Sequence, residues 1–126
     1  LNALVAADSV LVPLQCEFFA LEGVSSLTRT IETVRQRFND GLRLQGILLT
    51  MFDGRSNNAN LVAKDVRDFF GDWVYGTAIP RNVRVAEAPS HGKPVLAYDL
   101  RSTGAQAYIA AAQEFLARER RAGAPA

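Results

Sequence analysis

"LRLQGILLTMF", residues 42–52, is an almost unbroken apolar run with a single arginine and a single glutamine near its start. A run this short, rich in leucine and isoleucine and without helical spacing, predicts a strand buried on both faces, from Leu44 to Phe52. Reading outward, "SVLVPLQ" (Ser9–Gln15) has the same character and predicts a second buried strand. Between them the period changes. Leu21, Val24, Leu27, Ile31, Val34 and Phe38 recur at helical spacing, with Glu32, Arg35 and Arg37 on the opposite face, which predicts a helix from Ala20 to Phe38. Asn39-Asp40-Gly41 is expected to end it through a left-handed residue. Downstream, "DGRSNN" reads as a turn in which Asn57 or Asn58 caps a helix of about 59–70, burying Leu61, Val62, Val66, Phe69 and Phe70. "WVYGTAI" (73–79) predicts a third strand. A last helix, about 102–120, aligns Ala105, Tyr108, Ile109, Ala112, Phe115 and Leu116. Strands alternating with helices imply an α/β fold, a parallel sheet flanked by helices, in one domain.

The 126 residues are enough for one buried core, and 48% hydrophobic with 21% charged residues is an ordinary globular composition. A net charge of +1 excludes a uniformly basic nucleic-acid protein but leaves room for a local basic patch. The lone cysteine, Cys16, cannot form an internal disulfide; it favours a reducing compartment and reads as a small buried residue. No apolar run is long enough to span a bilayer. The opening "LNALVAADSV" resembles the tail of a helix and has no initiator methionine, so a piece of a longer protein is expected. The terminal "RAGAPA" is expected to fray.

In parallel α/β sheets ligands bind at the carboxyl ends of the strands. Here those ends are Gln15-Cys16-Glu17, the stretch 50–55, and Pro80 onward. The last opens "IPRNVRVAEAPSHGKP" (79–94), which looks like neither strand nor helix and holds the only histidine. Pro80 has no N–H to extend a ladder, so its carbonyl and the following backbone groups are candidates for a ligand. Arg55 and Arg84 lie just past neighbouring strand ends, neither with an acid four positions away. Lys93 is a candidate contact for DNA or a partner protein. His91 has no cysteine, nucleophile or acidic orienter beside it in sequence and reads as a structural loop residue. Asp53 first reads as a turn former.

At these strand ends "NALVAADSVLVPLQCEFFALEG", "GILLTMFDGR", "IPRNVRVAEAPSHGKPV" and "GAQAYIAAAQEFL" run in order along nearly the whole chain, and together they strongly resemble the ParA/Soj family of chromosome- or plasmid-partitioning ATPases, of the deviant Walker-A class. The resemblance implies the C-terminal half of a P-loop NTPase (Rossmann-like, three-layer) fold, with residues 1–126 forming part of a single ATPase domain. It implies that Pro80 and Asn82 line the base and ribose pocket. Arg81 either flanks the base or faces solvent, and Thr50, Met51 and Phe52 border the adenine edge. Arg55 and Arg84 would bind DNA without sequence preference, as suits the planar fork of arginine. Gln15 and Glu17 would lie near a dimer interface. The whole protein would use ATP and Mg2+, bind DNA as a homodimer, answer to a ParB-like partner, and work in the bacterial cytoplasm on the nucleoid, away from membranes. No G-x-x-x-x-G-K-[ST] occurs in the chain. It is therefore expected to carry no catalytic or metal-binding residue, to hold no nucleotide tightly, and to be inactive alone. With half of the sheet missing it should also self-associate through an exposed strand edge. Two alternatives stand beside this reading: a stand-alone DNA- or protein-binding module, and a positioning ATPase of the related MinD type. The amphipathic last helix reads as one packed on the sheet, not as a membrane anchor.

Overall fold

The computed structural model describes residues 1–123. In chain order the elements are α1 (Asn2–Ala6), β1 (Ser9–Gln15), α2 (Ala20–Arg37), β2 (Arg43–Thr50), α3 (Asn57–Phe70), α4 (Val83–Glu87), α5 (Val95–Tyr98) and α6 (Thr103–Gly123). The quoted run forms β2, whose six residues between Arg43 and Thr50 are all buried. β1 pairs with it in parallel, from Ser9 opposite Arg43 to Gln15 opposite Thr50. Alternate side chains of β2 enter different cores. Ile47 and Leu49 pack with Val24, Ile31 and Val34 of α2 and Val62 and Val66 of α3. Leu48 packs with Tyr75, Ile79 and Ala111, on the side covered by α6. The sheet is thus parallel and flanked by helices on both faces, as the continuous apolar pattern requires.

Several expectations change. Residues 73–79 do not form a regular strand: Trp73 ends a 3-10 turn (Gly71–Trp73), and isolated bridges join only Val74 to Ile47 of β2 and, just past the run, Pro80 to Phe52 beyond the end of β2. The reason lies in α6. The Glu114 carboxylate accepts from the N–H groups of Gly76 and Thr77 at 2.8 and 2.9 Å. Arg118 donates to the carbonyls of Trp73 and Val74 at 3.3 and 3.0 Å. Side chains thereby take backbone groups that a ladder would have used.

α2 does not end through a left-handed residue; among the described residues only Met51, Gly71 and Gly92 have positive φ. Asn39 instead donates its side-chain amide to the carbonyls of Leu4, Val5 and Ala7, tying the end of α2 to the end of α1. Ser56, not Asn57 or Asn58, caps α3, accepting from the Ala59 N–H at 3.2 Å. Phe38, Leu61, Phe69 and Leu116 were expected inside but are 60, 60, 67 and 57% exposed. The inner face of α6 is instead Gly104, Ala105, Ala107, Ala111 and Phe115, with Tyr108 turned outward. Residues 79–94 contain the short helix α4 and a further 3-10 turn, Ala88–His91. α6 is capped by Ser102 and continues through Arg121–Gly123; the rest of the terminal segment, 124–126, lies outside the described residues.

Two local features of β2 matter below. Its register slips once: Val10 faces Leu44 and Leu11 faces Gly46, so Gln45 has no partner on β1. Next to that bulge, a Cβ on Gly46 would lie 3.0 Å from Cδ1 of Tyr75 and 3.1 Å from the Trp73 carbonyl, so only glycine lets the buried tyrosine ring cross here.

Candidate functional site

The carboxyl ends of the strands are laced together by main-chain bonds. The Thr50 carbonyl accepts from the Cys16 N–H at 3.3 Å. Phe52 is bonded on both sides, its N–H to the Ile79 carbonyl at 3.0 Å and its carbonyl to the Arg81 N–H at 3.1 Å. The stretches 50–55 and 80–84 are thereby held side by side. Between them Met51 takes φ 51°, a left-handed conformation rare for a side chain of this kind, and stands 42% exposed. The Pro80 carbonyl accepts no hydrogen bond among the described residues, whereas the Arg81 N–H, one of the following backbone groups expected to be available, is used by the Phe52 carbonyl.

Asn82 has a different local role from the one anticipated. Its Oδ1 accepts from the N–H of Arg84 at 2.9 Å and of Val85 at 3.4 Å, capping α4. Its Nδ2 donates to the Thr103 hydroxyl at 2.6 Å. Gly104 makes this contact possible, since a Cβ there would collide with Val85 and press on Asn82. Asn82 thus fixes the path of the chain after Pro80 and joins it to the start of α6.

The two arginines are placed on this rim, and both have acidic partners that a search four positions away misses. Arg55 is almost fully in solvent, 93% exposed, with Nε 3.2 Å from Asp53 Oδ1. The Arg55 N–H and then its guanidinium hold the Asp53 carboxyl below its ordinary range. Arg84 reaches Glu87 at 3.1 Å and Asp99 at 3.3 Å. Glu87 also accepts from the Tyr98 hydroxyl at 2.9 Å, and that bond first, with Arg84 behind it, lowers its pKa. His91 stacks on Tyr98, ring centroids 4.8 Å apart, consistent with a structural loop residue. Glu87 was detectable as an i, i+3 partner only if 83–87 is read as a helix; Asp99 left no sequence signal. Lys93 and Arg81 are exposed.

At the end of β1, Gln15 and Glu17 are exposed, followed by the edge-to-face pair Phe18–Phe19, 75 and 69% exposed, which sequence reasoning passed over. Cys16 is buried, as expected, and burial pushes its thiol pKa up against the pull of Arg67. Among the described residues no group of three or more His, Cys, Asp or Glu side chains lies close enough together to hold a metal ion. No helix is long and apolar enough to cross a membrane.

Known proteins match this arrangement. The chain aligns over 98% of its length with a cobyrinic acid a,c-diamide synthase from Mycobacterium smegmatis, solved with a bound ATP analogue and magnesium, at TM-score 0.71 and 36% identity, covering 43% of that chain. The fold is of the P-loop NTPase type: an α/β domain with a parallel sheet between helices. Residues 1–44 match a family model described as an AAA domain. Over 94% of its residues the chain is 61% identical to the chromosome partitioning protein ParA of Caulobacter vibrioides, covering 45% of it. Over 94% it is 48% identical to the chromosome-partitioning ATPase Soj of Treponema pallidum, covering 47% of it. Across the span it covers, the chain belongs to the ParA/Soj family of chromosome-partitioning proteins. It spans about half the length of these relatives.

Proposed function

We propose that this chain is the C-terminal half of a ParA-type partitioning ATPase, supplying the base-side wall of the nucleotide pocket and a DNA-binding rim. The observation that carries the reading is the lacing of Phe52 to residues 79–81, which sets an exposed Met51 and an unused Pro80 carbonyl beside two arginines leaving adjacent strand ends. In this reading Thr50, Met51, Phe52, Pro80 and Arg81 border the base. Asn82 holds that wall in place through its cap and its bond to Thr103. Phosphates and Mg2+ are held elsewhere, since the chain has no phosphate loop, and the chain alone turns over no ATP. Arg55 and Arg84 contact DNA phosphates. Gln15 and Glu17 belong to the face where ATP closes a homodimer, and a ParB-like partner stimulates hydrolysis on the nucleoid. Without the other half, the open edge of β1 drives self-association.

The test uses the full-length protein with ATP. Each duplex phosphate contact contributes about −0.9 to the slope of log affinity against log salt. Two arginines on each protomer of a dimer account for up to about −3.6, and Arg55→Ala or Arg84→Ala each remove about half of that. The loss is equal on random and fixed sequences because phosphates carry no base information. ATP affinity stays within error. A salt slope that does not move while ATP affinity collapses would transfer the arginines to the nucleotide and end this division of the rim.

A further inference from the structure

At the other end of β2, away from the rim just described, lies a groove of about 1150 Å3. Arg43, Arg67, Arg118 and Arg121 surround it, Trp73 is 48% exposed on its wall, and Gln45 lies in its floor. Nothing in the partitioning reading uses it. Gln45 is the bulge residue of β2, only 4% exposed; its Oε1 accepts from the Tyr75 hydroxyl at 2.6 Å, while its Nε2 has no acceptor among the described residues. The Nε of Arg118 is likewise buried without an acceptor. Bulges re-aim side chains, and buried donors in native proteins normally have a partner. Two orphan donors in one groove point to an occupant that brings acceptors.

The charges narrow its chemistry. Arg43 is neutralised by Glu119 at 2.9 Å and Arg118 by Glu114 at 3.1 Å. Arg67 and Arg121 have no carboxylate partner among the described residues, and Asp72 is the one acid on the wall. The groove therefore has a modest positive excess beside an aromatic surface. A polyphosphate would bring more negative charge than is left unneutralised here. A peptide with one or two carboxylates beside an apolar side chain matches: acids to Arg67 and Arg121, a main-chain carbonyl to Gln45, and the apolar group on Trp73. Tryptophan and arginine are also the residues that most often dominate peptide and protein interfaces. We propose that this groove is a docking site for an acidic peptide segment of a partner protein, separate from the nucleotide and DNA rim.

The experiment pans random phage-displayed peptides on the immobilised full-length protein, with the Trp73→Ala/Arg121→Glu protein as counter-selection. Both side chains are exposed, so the fold survives their replacement; circular dichroism of the variant checks this. Enriched peptides should carry Asp or Glu next to an apolar residue. Synthetic copies should lose about tenfold in affinity when the acids become amides, or when Arg121→Glu is introduced alone. Failure to enrich any peptide, enrichment without acids, or equal binding to the variant overturns the proposal. So does displacement of the peptides by tripolyphosphate binding more tightly in the same groove, which would make the site a polyphosphate site.

Discussion

The two ends of β2 both gather arginines, and they hold them differently. At the carboxyl end Arg55 and Arg84 use carboxylates two and three residues away, and Arg84 a third at Asp99, 15 residues on, with both guanidinium groups at least half in solvent. At the amino end the bonds cross the molecule: Arg43 reaches Glu119, 76 residues on, and Arg118 reaches back 44 residues to Val74. Local, solvated pairs contribute little to stability and leave the guanidinium free to exchange partners. Arg118, 16% exposed and bonded to two carbonyls, holds the backbone itself, and removing it strands those carbonyls. Arginine at the first end is suited to binding something that comes and goes. At the second it builds the wall on which Trp73 and Gln45 sit.

Substitutions separate the two roles. The largest loss is expected from Arg118→Met. It strands two carbonyls, takes the cation from Glu114 and leaves that carboxylate only the Gly76 and Thr77 N–H groups, and removes the guanidinium lying 4.2 Å from the Tyr75 ring centre; the cost should be about 3 kcal/mol in chemical denaturation. A loss no larger than that of an exposed arginine would erase the contrast. Gly46→Ala comes next, at about 2 kcal/mol, because the new methyl group meets the Tyr75 ring and the Trp73 carbonyl in a core that has no slack. An unchanged melting temperature would show that the ring has room to move.

Acid sharpens the comparison. Burial pushes the Glu114 carboxyl up, but hydrogen bonds from Thr77, Gly76 and Arg118 together outweigh it, and the net pKa is lowered. A carboxyl lowered on folding contributes stability above its unfolded pKa and loses it as pH falls through the folded one. Stability should therefore decline below the ordinary glutamate range, and Glu114→Gln should flatten that decline in a pH series of melting curves. A parallel curve for the variant would place the acid sensitivity elsewhere. The smallest effect belongs to the exposed rim. Arg55→Ala and Arg84→Ala should leave the melting temperature where it is while they change the salt dependence of DNA binding. A marked fall in melting temperature would make Arg84 a structural tie between α4 and Asp99.

Much of this was legible before any coordinates. The apolar runs at 9–15 and 42–52 had to be buried on both faces, because strands of that composition have no side to give to water, and helical spacing between them forced a parallel crossover. The strand ends followed, and with them Thr50, Met51, Pro80 and the arginines as residues of one rim. What pattern alone could not supply were partners distant in the chain. "WVYGTAI" has strand composition, yet Glu114 and Arg118 take several of its backbone groups, so it meets β2 only through the Val74 bridge and the N–H groups of Tyr75 and Ile79. Asn82 lies in an irregular stretch, and only packing against Thr103 and Gly104 makes it a cap and a brace. Phe38, Phe69 and Leu116 fit a helical stripe but face water, since helical spacing tells which residues share a face and not how far around the helix its neighbours reach. Composition and period are local quantities, sufficient for elements and their order. Which backbone group meets which side chain across dozens of residues is decided by the closure of the fold.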